Sequence, residues 1–288
     1  MVKPEIKKIV LVTHSDVSVA ALALEKTLKF LAQHGCKIVV PPNEWSKHKA
    51  TLNTSNCDFE VIAHPEELSE ADLCFTLGGD GTILRALHLT RDLDIPVAGV
   101  NLGRVGFLTT ISPRDLEAGL VRLLQGDFLQ YPLLGLEATL GQRAFRATND
   151  VAIGKGDRAT ACSLSISING MVMFEALCDG MVAATPVGSS AYSLAAGGPL
   201  LGISVEAFVI CLVAPHLVGV RPVVLAPGDL LEVTNTDHKL DCCMDVDGQR
   251  LATLNPGDML SIKASPAMAS LALLSDDSLY QHFRDCLL

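Results

Sequence analysis

The hydrophobic period of this 288-residue chain changes just after residue 126, and that change constrains the fold more than any other feature. Before it, short apolar runs alternate with stretches of helical spacing. The pattern predicts strands at 6–12, 36–40, 59–62, 71–77 and 95–100, with helices at 18–34, 82–90 and 113–125. The last of these helices has Ser112 as its cap, Pro113 in its first turn and Gly126 just past its end. Strands separated by helices make a mostly parallel sheet covered on its faces. Residues 41–57 are polar, hold the only tryptophan, Trp45, and show no period, so they read as a loop.

Beyond residue 126 apolar and polar positions alternate. Strands are predicted at 133–140, 161–168, 171–177, 207–213, 222–226, 230–234, 242–246 and 258–263, and Asn169-Gly170 is a two-residue hairpin signal. APGDLLEV at 226–233 and NPGDMLSI at 255–262 are either two similar turns or a weak internal duplication. The expected organisation is an α/β domain over 1–126 and a β-rich domain over 127–269. The tail, 270–288, is expected to pack back on the first domain and to be helical from Ser275.

Apolar residues are 49% of the chain and charged residues 19%, which excludes disorder and leaves enough apolar surface for a subunit interface, so a soluble oligomer is expected. No apolar run approaches the roughly 20 residues of a membrane span, and the basic start leads into too short an apolar block for a secretory signal. The expected location is cytoplasmic, without a membrane partner. Nine cysteines without a CxxC pair read as reduced, buried thiols. A net charge of −10 argues against nucleic acid as a partner. A phosphorylated ligand must then be held by local N–H groups and a few placed cations.

Several segments carry such chemistry. In TLGGDGTILRA at 76–86 an apolar strand runs into Gly78, Gly79, Asp80, Gly81 and Thr82 before a helix, so backbone N–H groups can approach phosphate oxygens. Asp80 either caps that helix or acts as a base or ribose ligand, and Arg85, one turn on, is either a solvated cation or part of the pocket. GVNLGRVGFLT at 99–109 folds tightly at a strand's carboxyl end, where Phe107 covers a ring or fills core. Asn149 and Asp150 offer donors and acceptors for ribose hydroxyls or an adenine edge, unless they only make a turn. DGMVAATPVGSSAYSLAAGGP at 179–199 is the most unusual stretch: small residues around Ser189, Ser190 and Ala191 admit a ligand close to the backbone, with Tyr192 beside them to stack on a base. In DVDGQRL, Asp247 and Gly248 make a hairpin turn and Gln249 can reach a ligand.

Taken together, in this order and spacing, LGGDGTILRA, GVNLGRVGFL, the Asn149–Asp150 pair and DGMVAATPVGSSAYSLAAGGP resemble the ATP-dependent NAD kinase family over roughly residues 70–260. The first motif is shared with lipid kinases and phosphofructokinases; the two long ones are not. The resemblance implies a Rossmann-like α/β domain of the Gly-Gly-Asp-Gly kinase type, joined to a β-rich domain. It implies transfer of the γ-phosphate of ATP, carried with Mg²⁺ or another divalent cation, to the 2′-hydroxyl of the adenosine ribose of NAD. Asp80 would be the base, with Gly81, Arg85 and Phe107 lining its pocket. Asn149 and Asp150 would grip ribose and adenine, and Asp179 would face the nicotinamide end. Ser190, Ala191, Tyr192, Ser193 and Ala195 would form the adenosine wall, completed by Arg158 and Gln249. The family more often has glutamate at 150, threonine at 190 and serine at 196, differences that bear on fine ligand preference. Two rivals are a lipid kinase, which the acidic charge disfavours, and a catalytically silent NADP-sensing module, for which no motif is missing.

Overall fold

The computed structural model describes residues 6–103, 106–109, 111–157, 160–216, 219–274 and 284. Arg158 and the tail expected to be helical from Ser275 lie outside them, apart from Arg284. The chain divides into two units, Met1–Pro132 with Ala269–Leu288, and Leu133–Met268.

The first unit runs β1 (Lys8–Thr13), α1 (Val17–Gln33), β2 (Lys37–Val40), α2 (Pro42–Thr54), β3 (Asp58–Val61), a 3-10 turn (Pro65–Glu70), β4 (Leu73–Gly78), α3 (Asp80–Leu89), β5 (Pro96–Asn101) and α4 (Leu116–Leu124). The strands pair in parallel in the order β3-β2-β1-β4-β5, and Ser270 and Leu271 add in parallel to Pro96 and Val97. Alternate residues of β1 face opposite sides, and both sides are buried, as continuous apolar runs in a covered parallel sheet require. Ile9 and Leu11 join one core with Leu24, Leu28 and Leu31 of α1, Leu52 of α2, and Leu116, Leu120 and Leu123 of α4. Each such leucine contributes about 1.5–3 kcal/mol by leaving water. α3 lies against β4, β5 and β1.

Two sequence expectations fail here. Residues 42–54 form a helix, not a loop. Its inward stripe is Glu44, His48 and Leu52, which has helical spacing but largely polar chemistry, so an apolar period could not reveal it. Pro42 at its first position supplies the start signal. The helix expected from 113 begins at Leu116 instead: Ser112 Oγ donates to Asp115 Oδ2 at 2.6 Å, closing a turn before the helix. Gly126, at φ 71°, ends it as expected.

The second unit continues with β6 (Leu129–Leu140), β7 (Arg143–Ala147), β8 (Asp150–Lys155), β9 (Cys162–Ile168), β10 (Met171–Cys178), β11 (Gly180–Ala184), a short α5 (Tyr192–Ala195), β12 (Phe208–Val213), β13 (Val223–Leu225), β14 (Leu230–Asn235), β15 (Cys242–Val246), β16 (Gln249–Leu254) and β17 (Met259–Leu273). One antiparallel array runs β10-β9-β14-β17, with β6 and β7 beside it; the other runs β13-β12-β11-β8-β15-β16. Their inner faces share one core, including Leu164, Ile166, Val233 and Ile262 from the first and Val151, Ile153, Met181 and Met244 from the second. Asn169 and Gly170 both take positive φ, 51° and 77°, the two-residue turn the sequence called for. β14 and β17 are antiparallel neighbours, and their two Pro-Gly-Asp turns share one chemistry: Asp229 and Asp258 each accept the N–H three residues earlier, at 2.8 Å. β7, β8 and β16 were not read from the sequence.

Candidate active site

β4 and β5 lie side by side with Gly78 opposite Asn101, so the two glycine-rich segments leave the sheet together. The Leu102 N–H donates to the Gly78 carbonyl at 2.9 Å. A side chain at Gly78 would overlap Thr82, whereas a Cβ added at Gly79 or Gly81 meets nothing within 4 Å, which leaves the turn open on that side. The first amides of α3 have no carbonyl to bond within the helix and carry partial positive charge, so an oxyanion can dock there.

Asp80 is the first residue of α3. Its Oδ2 accepts the Phe107 N–H at 2.8 Å and its Oδ1 accepts the Leu108 N–H at 3.1 Å. Gly106 sits so close that a Cβ there would stand 2.5 Å from Asp80 Oδ1. One role of the second glycine-rich segment is therefore to orient the Asp80 carboxylate. Two N–H donors fill two of its roughly four lone-pair positions, and the others remain to accept a proton. Phe107 is half-buried beside it. Gly81 and Arg85 lie on the same face of α3, and Arg85 Nη2 donates to the Thr13 carbonyl at 2.5 Å and approaches Glu44 Oε1 at 3.4 Å. Arg85 is thus tethered, not simply solvated.

In the second unit Asn149 and Asp150 enter β8 under the control of a residue that sequence reasoning placed only in a turn. Asp247 accepts three consecutive backbone N–H groups: Thr148 at 2.9 Å, Asn149 at 2.6 Å and Asp150 at 3.1 Å. No local sequence signal marks this, because the partners are distant in the chain. Asn149 Oδ1 is buried with no hydrogen-bond partner among the described residues. Such an unmet acceptor costs about 1–3 kcal/mol, and a ligand hydroxyl would answer it. Asp150 is buried, and that burial, reinforced by Asp247 and Asp245, pushes its carboxyl up to about 7.

The small-residue segment is fastened to the same place. Thr185 N–H donates to the Asn149 carbonyl at 2.9 Å, Thr185 Oγ1 donates to the Thr148 carbonyl at 2.7 Å, and Gly188 leaves no room for a Cβ against the Asn149 backbone. Ala191, Tyr192 and Ala195 are exposed, and Ser190 is half-buried with its hydroxyl on the Val187 carbonyl at 3.1 Å. Ser193 points the other way, fully buried with Oγ 3.4 Å from Cys211 Sγ. Partial burial and the carboxylates of Asp179, Asp150 and Asp245 push the Tyr192 phenol up, so these groups share one neighbourhood. Asp179 pairs with Lys155, a residue not singled out from the sequence, at 3.1 Å. Gln249 opens β16 and is exposed. Arg158 lies outside the described residues. No group of metal-binding side chains occurs among the described residues.

Comparison with known proteins supplies the family. Residues 9–128 match the family model of the ATP-NAD kinase N-terminal domain, and residues 148–274 match that of the ATP-NAD kinase C-terminal domain. The chain is 36% identical to an NAD kinase of Gemmatimonas aurantiaca over 219 residues, covering 74% of this chain and 76% of the relative. It is 32% identical to an NAD kinase of Symbiobacterium thermophilum over 282 residues, covering 96% and 97%. Among solved structures, yeast NADH kinase complexed with NADH superposes with a TM-score of 0.87 at 20% identity, covering 99% of this chain and 88% of that one. An NAD kinase from Archaeoglobus fulgidus in complex with ATP gives 0.71 at 24% identity, covering 96% and 98%. At those identities the likeness establishes the two-domain fold, while both family models and the close relatives carry the assignment: the chain belongs to the NAD kinase family and is a kinase that transfers phosphate from ATP to NAD.

Proposed function

We propose that Asp80 is the base that takes the proton from the 2′-hydroxyl of the adenosine ribose of NAD as that oxygen attacks the γ-phosphate of ATP, giving NADP and ADP. The observation that carries this reading is the clamp on its carboxylate by the Phe107 and Leu108 amides, at the mouth of a turn built to receive phosphate. Phosphoryl transfer asks little covalent chemistry of a protein; alignment and charge stabilisation do the work. Mg²⁺ or another divalent cation enters with ATP as part of the substrate and supplies charge neutralisation on the triphosphate.

The other residues bind. Gly81, Arg85 and Phe107 line the pocket of Asp80. Asn149 offers an unmet acceptor and Asp150 a carboxyl that titrates near neutrality, both suited to ribose and adenine groups. Asp179, beside Lys155, faces the nicotinamide end. Ser190, Ala191, Tyr192 and Ala195 form the adenosine wall, with Arg158 and Gln249 completing it. Ser193 serves that wall through its backbone, since its side chain is spent inward. A cytoplasmic setting fits the eight described cysteines, all free and buried, and a homodimer or homotetramer fits the apolar composition.

Purified protein incubated with ATP, Mg²⁺ and NAD is expected to form NADP, and diacylglycerol in place of NAD to accept nothing. Asp80→Asn is expected to fold and bind NAD but to lose about two orders of magnitude or more in turnover, the usual share of a general base. Near-full turnover in that variant removes Asp80 from the base role.

A further inference from the structure

The inward stripe of α2 buries a charge that none of the roles above uses. The Glu44 side chain is 5% exposed, and a buried carboxylate persists only where charges and hydrogen bonds answer it. Here they come from three elements. Thr13 Oγ1, at the end of β1, donates to Glu44 Oε2 at 2.6 Å. Lys47 Nζ donates to Glu44 at 2.8 Å and shares its other protons among Thr13 Oγ1 at 3.0 Å, the Thr13 carbonyl at 3.2 Å and the His14 carbonyl at 3.3 Å, which leaves none of its three protons over. Arg85 Nη2 reaches from α3 to Glu44 Oε1 and to the Thr13 carbonyl. His48 Nε2 lies 2.7 Å from Thr13 Oγ1, and burial lowers the imidazole pKa. Since the single Thr13 proton goes to Glu44, a neutral His48 donates from Nε2.

Two cations and one carboxylate leave the cluster with one net positive charge, and only Arg85 has donors left over. Its side chain is 44% exposed, with one nitrogen engaged out of three. Thr13 pairs with Leu77, one residue before the glycine-rich turn, and the His14 N–H donates to the Leu77 carbonyl at 2.8 Å. A helical side chain leans back over the turn before it, so the Arg85 stem crosses toward Gly81, four residues earlier, where the structure is open. The guanidinium is thereby pinned at the carboxyl ends of β1 and β4, the position at which open α/β sheets receive ligands.

We propose that Glu44 is a positioning residue: through Thr13 it fixes Arg85 so that the free edge of the guanidinium meets a phosphate oxyanion of a substrate. The inference rests on the reading of Arg85 as a pocket residue. The phosphate belongs either to the triphosphate of ATP or to the diphosphate bridge of NAD, and steady-state kinetics tell the two apart.

Glu44→Gln, Arg85→Ala and the double variant are assayed as full chains, varying ATP and NAD separately, with melting curves for each. Arg85→Ala is expected to raise the KM of one substrate by about tenfold or more, the worth of a charge-assisted hydrogen bond. Glu44→Gln is expected to raise the same KM, with kcat and the other KM moving less, and the double variant to be no worse than Arg85→Ala alone. Glu44→Asp, which keeps the charge, is expected to recover part of the loss, and it carries the same comparison if Glu44→Gln does not fold. Unchanged KM values in a folded Glu44 variant, or effects of Glu44 and Arg85 that multiply, overturn the proposal. Arg85→Ala with both KM values unchanged overturns the assignment of Arg85 itself and leaves the role of Asp80 standing.

Discussion

Asp247 reaches across 98 residues of sequence to accept the backbone N–H of Asn149 at 2.6 Å. The hairpin turn between β15 and β16, where Asp247 and Gly248 take φ values of 48° and 77°, is therefore also the mould for the first residues of β8. The reciprocal bond, Asp247 N–H to the Asp150 carbonyl at 3.0 Å, closes the arrangement. The turn and the Asn149–Asp150 pair are one structural object, so a change in the turn must be felt by the pair.

Asp247→Asn tests that linkage. Asparagine keeps the size and tolerates the positive φ, but its amide nitrogen faces the Thr148 N–H, donor against donor. The expected loss of stability is about 1–3 kcal/mol. In kinetics the KM for NAD is expected to rise more than kcat falls, because Asp80 is untouched. A variant with native KM for NAD and native melting temperature would show that the three N–H bonds do not hold the pair.

Gly106→Ala tests the clamp on the Asp80 carboxylate. The new methyl would stand 2.5 Å from Asp80 Oδ1 and 2.8 Å from Thr109 Oγ1, inside any real carbon contact, so the carboxylate or the loop must shift. A misplacement on the order of 1 Å at a reacting group costs roughly 10²-fold in rate. The expectation is a fall in kcat approaching that of Asp80→Asn. Overpacking costs about 1–3 kcal/mol of stability besides. Native kcat in the folded variant would mean that the loop does not orient Asp80.

What the sequence made legible follows from where each signal resides. Period and punctuation are local, and they placed most strands and helices of the parallel sheet, together with the Asn169-Gly170 hairpin. α2 stayed hidden because its buried stripe is Glu44 and His48, polar side chains whose partners Thr13 and Arg85 lie elsewhere in the chain. Small residues marked the segment near Ser190, yet the inward turn of Ser193 depends on Cys211 and could not be read locally. The glycines of 99–106 were visible as a tight loop. Their service to Asp80 was not, since that is a distance between segments.

Asp150 gives the site a pH signature. In the fold its carboxyl titrates at about 7, raised from 3.8 by burial and then by Asp247 and Asp245. Between those two values the folded protein holds a proton that the unfolded chain has released, so stability from this group is complete below about pH 4 and is lost as pH rises through about 7. By about pH 8 the buried charge costs at most about 4 kcal/mol. Asp150→Asn has nothing to ionise. Its melting temperature is expected to match the parent at or below about pH 4, to exceed it already near pH 5, and to exceed it most from about pH 7 upward. Melting curves of both proteins across that range check the sign, and a gap that stays constant or closes toward high pH would mean that Asp150 is charged throughout.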